Sequence, residues 1–232
     1  MGHPRVLFEK WVDGILEERL SAIKETIERV GLIPVLRASS AAEGHAIVEA
    51  MMAGGITVVE VTMTVPGAVH LLRELKKQHG DALLLGSGTV TSAAQAEETI
   101  RAGAEFVVSP SFHPDVVAKT KEMGKVSIPG ALTPTEVITA WDAGADYVKI
   151  FPCSAMGGAP YLRALRAPFP QLQLIPTGGV TLKTAADFLS AGARALGVGS
   201  DLVNATAIAE GKPEIITETA RGYLEVIRAA RV

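Results

Sequence analysis

Four times along the chain a helix-like stretch ends in Ala-Gly and gives way to a run of apolar, often β-branched residues: AGGITVVEV (53 to 61), AGAEFVVSP (102 to 110), AGADYVKIFP (143 to 152) and AGARALGVGS (191 to 200). These runs are nearly continuous in hydrophobicity, as expected of strands covered on both faces. The glycines Gly54, Gly103, Gly144 and Gly192 are expected in the left-handed conformation that closes a helix. Their spacing is that of two βα units, so one more strand belongs in each gap. ALLLGSGTV (82 to 90), KVSIPGALT (125 to 133) and LQLIPTGGV (172 to 180) supply those strands, and GLIPVLR (31 to 37) precedes them all, which makes eight.

Between the strands lie amphipathic segments, AAQAEETIRAG, DVVAKTKEMG, TPTEVITAWDAG and LKTAADFLSAG, several of them opening with Thr, Ser or Asp as N-caps. Eight strands alternating with helices, without a long linker, predict an α/β fold of one domain over residues 1–232: a single (β/α)8 TIM barrel with its core at 31–203. A doubly wound open sheet is the alternative. Residues 12–30 predict an extra N-terminal helix and 213–231 a closing helix, while the first dozen residues carry no assignable pattern.

Composition narrows the function more than the fold. A net charge of −3 offers no basic excess for nucleic acid. No apolar run approaches the roughly 18 residues of a membrane helix, and the N-terminal stretch lacks a signal peptide's apolar segment. The single cysteine, Cys153, forms no internal disulfide and suits a reducing compartment. A cytoplasmic protein without nucleic-acid or membrane partners is expected.

Two charged residues interrupt the apolar strands. Strand alternation sends Tyr147, Lys149 and Phe151 to one side of the sixth predicted strand, and Val58, Glu60 and Thr62 to one side of the second. With the aliphatic residues facing the helices, Lys149 and Glu60 face the barrel interior. Both strands are even-numbered, so the two side chains can share one layer near the C-terminal mouth, where barrel active sites are built. A buried structural ion pair explains this arrangement too, although such a pair is often no better than apolar residues of equal volume. The chemical reading is that an amine in apolar surroundings more readily loses its proton, that a free amine attacks carbonyl carbon, and that a nearby carboxylate moves protons. Strands seven and eight end in PTGGVT (176 to 181) and GVGSDL (197 to 202), glycine-rich turns that lead into helices. These are either tight turns or a phosphate site in which Gly178, Gly179, Gly199 and Ser200 are the donors.

The motifs EVT (60 to 62), GSGTV (86 to 90), SP (109 to 110), IPG (128 to 130), KIFP (149 to 152) and PTGG (176 to 179), in order over residues 31 to 203, resemble the 2-keto-3-deoxy-6-phosphogluconate (KDPG) and 4-hydroxy-2-oxoglutarate (KHG) aldolase family. The resemblance implies a (β/α)8 homotrimer that needs no metal or cofactor and cleaves a small-molecule keto-acid to pyruvate and an aldehyde. It implies Lys149 as the Schiff-base residue and Glu60 as the acid/base. It implies a pyruvate pocket of Thr89, Pro110 and Phe151, with Arg37 for anionic ends of the ligand. Its phosphate loop falls on Gly178, Gly179 and Ser200, and Thr177 stands where phosphogluconate-type enzymes carry threonine.

Two positions depart from the family's pattern, Thr64 in place of an arginine and Ser111 in place of a glycine, which leaves substrate preference open. The rival readings are another phosphosugar barrel enzyme, such as an epimerase or isomerase, and a silent protein that binds sugar-acid phosphates. His3, His45, His70 and His79, along with Cys153, Trp11 and Trp141, are expected to pack or face solvent. His113 borders the mouth. EERLSAIKETIER is expected to be a solvated helix face.

Overall fold

In the computed structural model, which describes residues 4–231 and side chains from residue 14, the strands are β1 (Leu32–Leu36), β2 (Val58–Thr62), β3 (Leu84–Gly88), β4 (Phe106–Val108), β5 (Val126–Ile128), β6 (Gly130–Ala131), β7 (Val148–Ile150), β8 (Leu174–Pro176) and β9 (Leu196–Val198). Every pairing is parallel. The order β5-β4-β3-β2-β1-β9 forms one sheet and β6-β7-β8 another. The fifth predicted strand is broken in two, because Pro129 has no N–H for the ladder. Its first half pairs with β4 and its second with β7, and Lys149 N donates to Pro129 O at 2.9 Å. At the other seam Thr177 bridges Gly197, and Arg194 N donates to Leu174 O. Eight staves therefore close into a barrel.

The helices between the strands are α2 (Ala41–Ala53), α3 (Ala68–His79), α4 (Ala93–Arg101), α5 (Pro114–Glu122), α6 (Pro134–Asp142), α7 (Ala159–Arg166) and α8 (Ala185–Ser190), with α9 (Ala205–Ala209) and α10 (Glu214–Ala229) after β9. Capping sets several starts. Ser40 and Ser92 accept the N3 amides of α2 and α4, and Thr133 with Glu136 forms a capping box on α6. The expected Asp cap is corrected: His113 is the N-cap of α5, and Asp115 lies inside its first turn. Gly54 is also corrected. It is right-handed at φ −82, and its neighbour Gly55 takes the left-handed turn at φ +95, whereas Gly103, Gly144 and Gly192 are left-handed as expected.

The extra N-terminal helix, α1, runs from Pro4 to Val30, longer than the 12–30 predicted; residues 1–3 lie outside the described residues. Ile23, Ile27 and Val30 are buried, while the polar positions of the charged run meet residues that precede strands. Arg19 reaches Glu105 at 2.7 Å, Lys24 lies 3.9 Å from Asp146, and Tyr147 donates to Glu28 at 2.7 Å. Helix α1 thus covers the N-terminal end of the barrel and leaves the C-terminal mouth open. The short α9 was not foreseen. Among the described residues no helix is long and apolar enough to cross a membrane.

Candidate active site

Glu60 in β2 and Lys149 in β7 are 2% and 6% exposed, inside the barrel toward its C-terminal mouth. Lys149 Nζ stands 4.0 Å from Glu60 Oε1 and 5.3 Å above the Phe151 ring. The glycine that ends β3 makes room for the acid, since a Cβ on Gly88 would overlap the Glu60 carboxylate. Among the described residues, none donates a hydrogen bond to the buried Glu60 Oε1. Burial raises the Glu60 carboxyl above the ordinary 4.5, against the opposing pull of the Lys149 and Arg37 charges. Desolvation therefore wins at this group, which leaves an acid able to hold and release a proton beside an amine.

A cavity of about 380 Å³ opens above the pair. Its lining brings together Lys149, Arg37, Phe151, Thr177, Gly178, Gly179, Gly199 and Ser200, eight of the eleven positions singled out in the sequence. Glu60 lies behind Lys149. Arg37, just past β1, is exposed and still close enough to lower the Glu60 pKa. Pro110 lines a second hollow of about 390 Å³ with Ser111, Phe112 and Leu132, and Phe151 is the wall common to both hollows. Thr89 follows Gly88 directly. It lines neither hollow and is the non-glycine residue with positive φ among those described, at +59.

The distal end of the cavity is built by glycine. Gly178 and Gly179 have φ of +85 and +79, and Ser154 Oγ donates to Gly178 O at 2.8 Å, which fastens the turn to the loop after β7. Among the described residues, the N–H groups of Gly178, Gly179, Gly199 and Ser200 donate to no backbone acceptor. Four unengaged amides around one concavity suit an anion.

The two departures are also placed. Thr64 is exposed, and its hydroxyl pairs with that of buried Thr62 at 2.7 Å, so Arg37 is the guanidinium at this cavity. Ser111 shares a hydrogen bond of 3.0 Å with His113. Sequence reasoning did not name Val35, Val180, Thr181 and Asp201 as lining residues. Val35 was findable as the residue two before Arg37 on the same strand face, and the others adjoin the named turns. Cys153 is buried, with its thiol pushed up to about 11 by burial, as suits a packing residue.

The family described as KDPG and KHG aldolase matches residues 23–219 of this chain. A 2-dehydro-3-deoxy-phosphogluconate aldolase of Treponema pallidum is 35% identical over 206 residues, 88% of this chain and 97% of the relative. A 2-dehydro-3-deoxy-6-phosphogalactonate aldolase of Escherichia coli is 32% identical over 201 residues, 86% and 98% of the two chains. Among solved structures, a KDPG aldolase of Legionella pneumophila, with pyruvate captured at low pH as a covalent carbinolamine, superposes with a TM-score of 0.80. It is 31% identical, and the match covers 87% of this chain and 97% of that one.

Proposed function

Because the chain belongs to the KDPG and KHG aldolase family, we propose that Lys149 is its Schiff-base residue and Glu60 its proton carrier. The protein is a class I aldolase. Its substrates are 2-keto-3-deoxy-6-phosphogluconate, cleaved to pyruvate and glyceraldehyde 3-phosphate, and/or 4-hydroxy-2-oxoglutarate, cleaved to pyruvate and glyoxylate. The observation that carries the assignment of residues is the buried amine 4.0 Å from a buried carboxylate whose pKa is raised, at the floor of an open cavity.

Lys149 Nζ adds to the C2 ketone and water leaves, giving a protonated imine. Glu60 removes the C4 hydroxyl proton, directly or through a water. The C3–C4 bond breaks, its electrons pass to the imine, and the aldehyde departs. The enamine left behind takes a proton at C3 from the now neutral Glu60, and hydrolysis frees pyruvate. The 4.0 Å separation leaves the amine and the acid as distinct groups, both within reach of one substrate.

By the family resemblance Thr89 and Pro110 are assigned to the pyruvate half beside Phe151, although Thr89 lines neither hollow and Pro110 reaches the ligand from the far side of Phe151, and Arg37 meets an anionic end of the ligand. The amides of Gly178, Gly179, Gly199 and Ser200 hold the distal phosphate beside Thr177, which aligns the bond to be cleaved. In this reading one domain carries the whole site and three copies form the native homotrimer, which light scattering tests as the mass of three chains. The free, buried cysteine suits a cytoplasmic setting.

The deciding experiment is incubation with pyruvate and borohydride, followed by peptide mapping. A reduced pyruvyl adduct is expected on Lys149. Label on another lysine, or none, refutes the assignment, and an epimerase or a silent binding protein gives none.

A further inference from the structure

Two loops share the distal amides: Gly178 and Gly179 lie after β8, and Gly199 and Ser200 after β9. Among the described residues, the barrel ladder joins them at that height through the Thr177–Gly197 bridge alone. One side chain spans the gap. Asp201 Oδ2 accepts the N–H of Leu182, at 3.2 Å, from the loop after β8. The same oxygen accepts the hydroxyl of Tyr223, which rises fully buried from α10. Burial and the Asp201 charge hold the Tyr223 phenol well above its ordinary range, so it stays a donor. The Leu182 amide has no other acceptor among the described residues.

We propose that Asp201 is a positioning residue for the distal anion: it ties the loop after β8 to the loop after β9 and to α10, and so sets the distance across which the four amides close on one phosphate. This rests on the aldolase reading above and deepens it. Both hydrogen bonds converge on one oxygen, so the carbonyl oxygen of an asparagine makes the same strut. The charge is a separate matter. Asp201 also lines the cavity, where a carboxylate repels a phosphate dianion. The strut needs the acceptor, and the anion is better off without the charge.

Asp201→Ala and Asp201→Asn therefore act differently. With 2-keto-3-deoxy-6-phosphogluconate, Asp201→Ala raises KM by roughly tenfold or more, while kcat moves less than about threefold and KM for the same acid without its phosphate stays near the native value. Asp201→Asn keeps KM for the phosphorylated acid at or below the native value. Tyr223→Phe, which keeps the Leu182 bond, gives an intermediate rise and serves if Asp201→Ala folds poorly. Equal KM values for Asp201→Ala and native enzyme overturn the proposal. So does an equal loss on both substrates, or an Asp201→Asn that is as impaired as Asp201→Ala. Calorimetric titration with inorganic phosphate reads the strut apart from the chemistry, with weaker binding expected in Asp201→Ala alone. Pyruvate trapping at Lys149 of the native enzyme reads the aldolase assignment by itself.

Discussion

Lys149 Nζ and Glu60 Oε1 face each other at 4.0 Å, within ion-pair range and beyond hydrogen-bond range, with both side chains buried. Lys125, by contrast, closes on Glu105 to 2.7 Å elsewhere in this protein. At 4.0 Å Lys149 makes no hydrogen bond to this oxygen, which a substrate hydroxyl can approach. The open spacing distinguishes this pair from that closed bridge.

Lys149→Met keeps the length and apolar stem of the side chain and removes the proposed nucleophile. Pyruvate release falls by about 10⁴-fold or more, and borohydride no longer fixes pyruvate to the protein. A steady-state assay with coupled pyruvate detection checks this, and retention of a tenth of native turnover contradicts the Schiff-base role.

Glu60→Gln lowers kcat by about 10²- to 10⁴-fold and still forms some imine. Its stability carries a sign that pH reveals. The folded Glu60 pKa lies above 4.5, chiefly through burial, with the Lys149 and Arg37 cations facing it from β7 and the end of β1. The stability from holding it neutral is fully present below about 4.5 and is lost as pH rises through the folded value. Glutamine never ionises, so the melting temperature of Glu60→Gln relative to native rises with pH above 4.5. Melting curves between acid and neutral pH measure it, and a difference that stays flat or falls contradicts the burial argument.

Arg37→Met removes one of the two positive charges that hold the Glu60 pKa down. The acid limb of the kcat/KM profile, which follows the free enzyme's base, moves to higher pH. KM rises by about tenfold to a hundredfold through the lost charge-assisted contact with the ligand. A pH profile with an unmoved acid limb places Arg37 away from Glu60 in solution.

Gly88→Ala places a methyl group where the Glu60 carboxylate sits. Overpacking of this kind costs about 1–3 kcal/mol, equivalent to roughly 2–4 °C of melting temperature per kcal/mol for a chain of this size. Catalysis falls further than stability if the displaced group is the proton carrier proposed above. Parallel thermal melts and turnover measurements separate the two effects.

The eight-strand rhythm, the inward direction of Glu60 and Lys149, and the glycine turns at 178–179 and 199–200 were legible in the sequence. Each follows from local rules: period-two alternation, the β-branched runs, the glycine-rich loop after the last strand, and at Gly178 and Gly179 a positive φ that glycine takes without strain. Local rules misplaced Gly54, because the choice between two adjacent glycines depends on how α2 packs against α10, where a Cβ on Gly54 would meet Ala220 and Thr217. They did not foresee the break at Pro129 as the place where one stave changes partners, or the reach of α1 back to Pro4.

What the sequence determined by itself was the type of fold and the end of it at which chemistry happens, because hydrophobic period and turn residues are properties of neighbours along the chain. The tertiary structure decided the 4.0 Å gap between Glu60 and Lys149, the outcome of burial against two cations at Glu60, and the meeting of Leu182, Asp201 and Tyr223. Those depend on distances between residues far apart in sequence and on how much water closure of the barrel leaves around them, and neither quantity exists until the staves have joined.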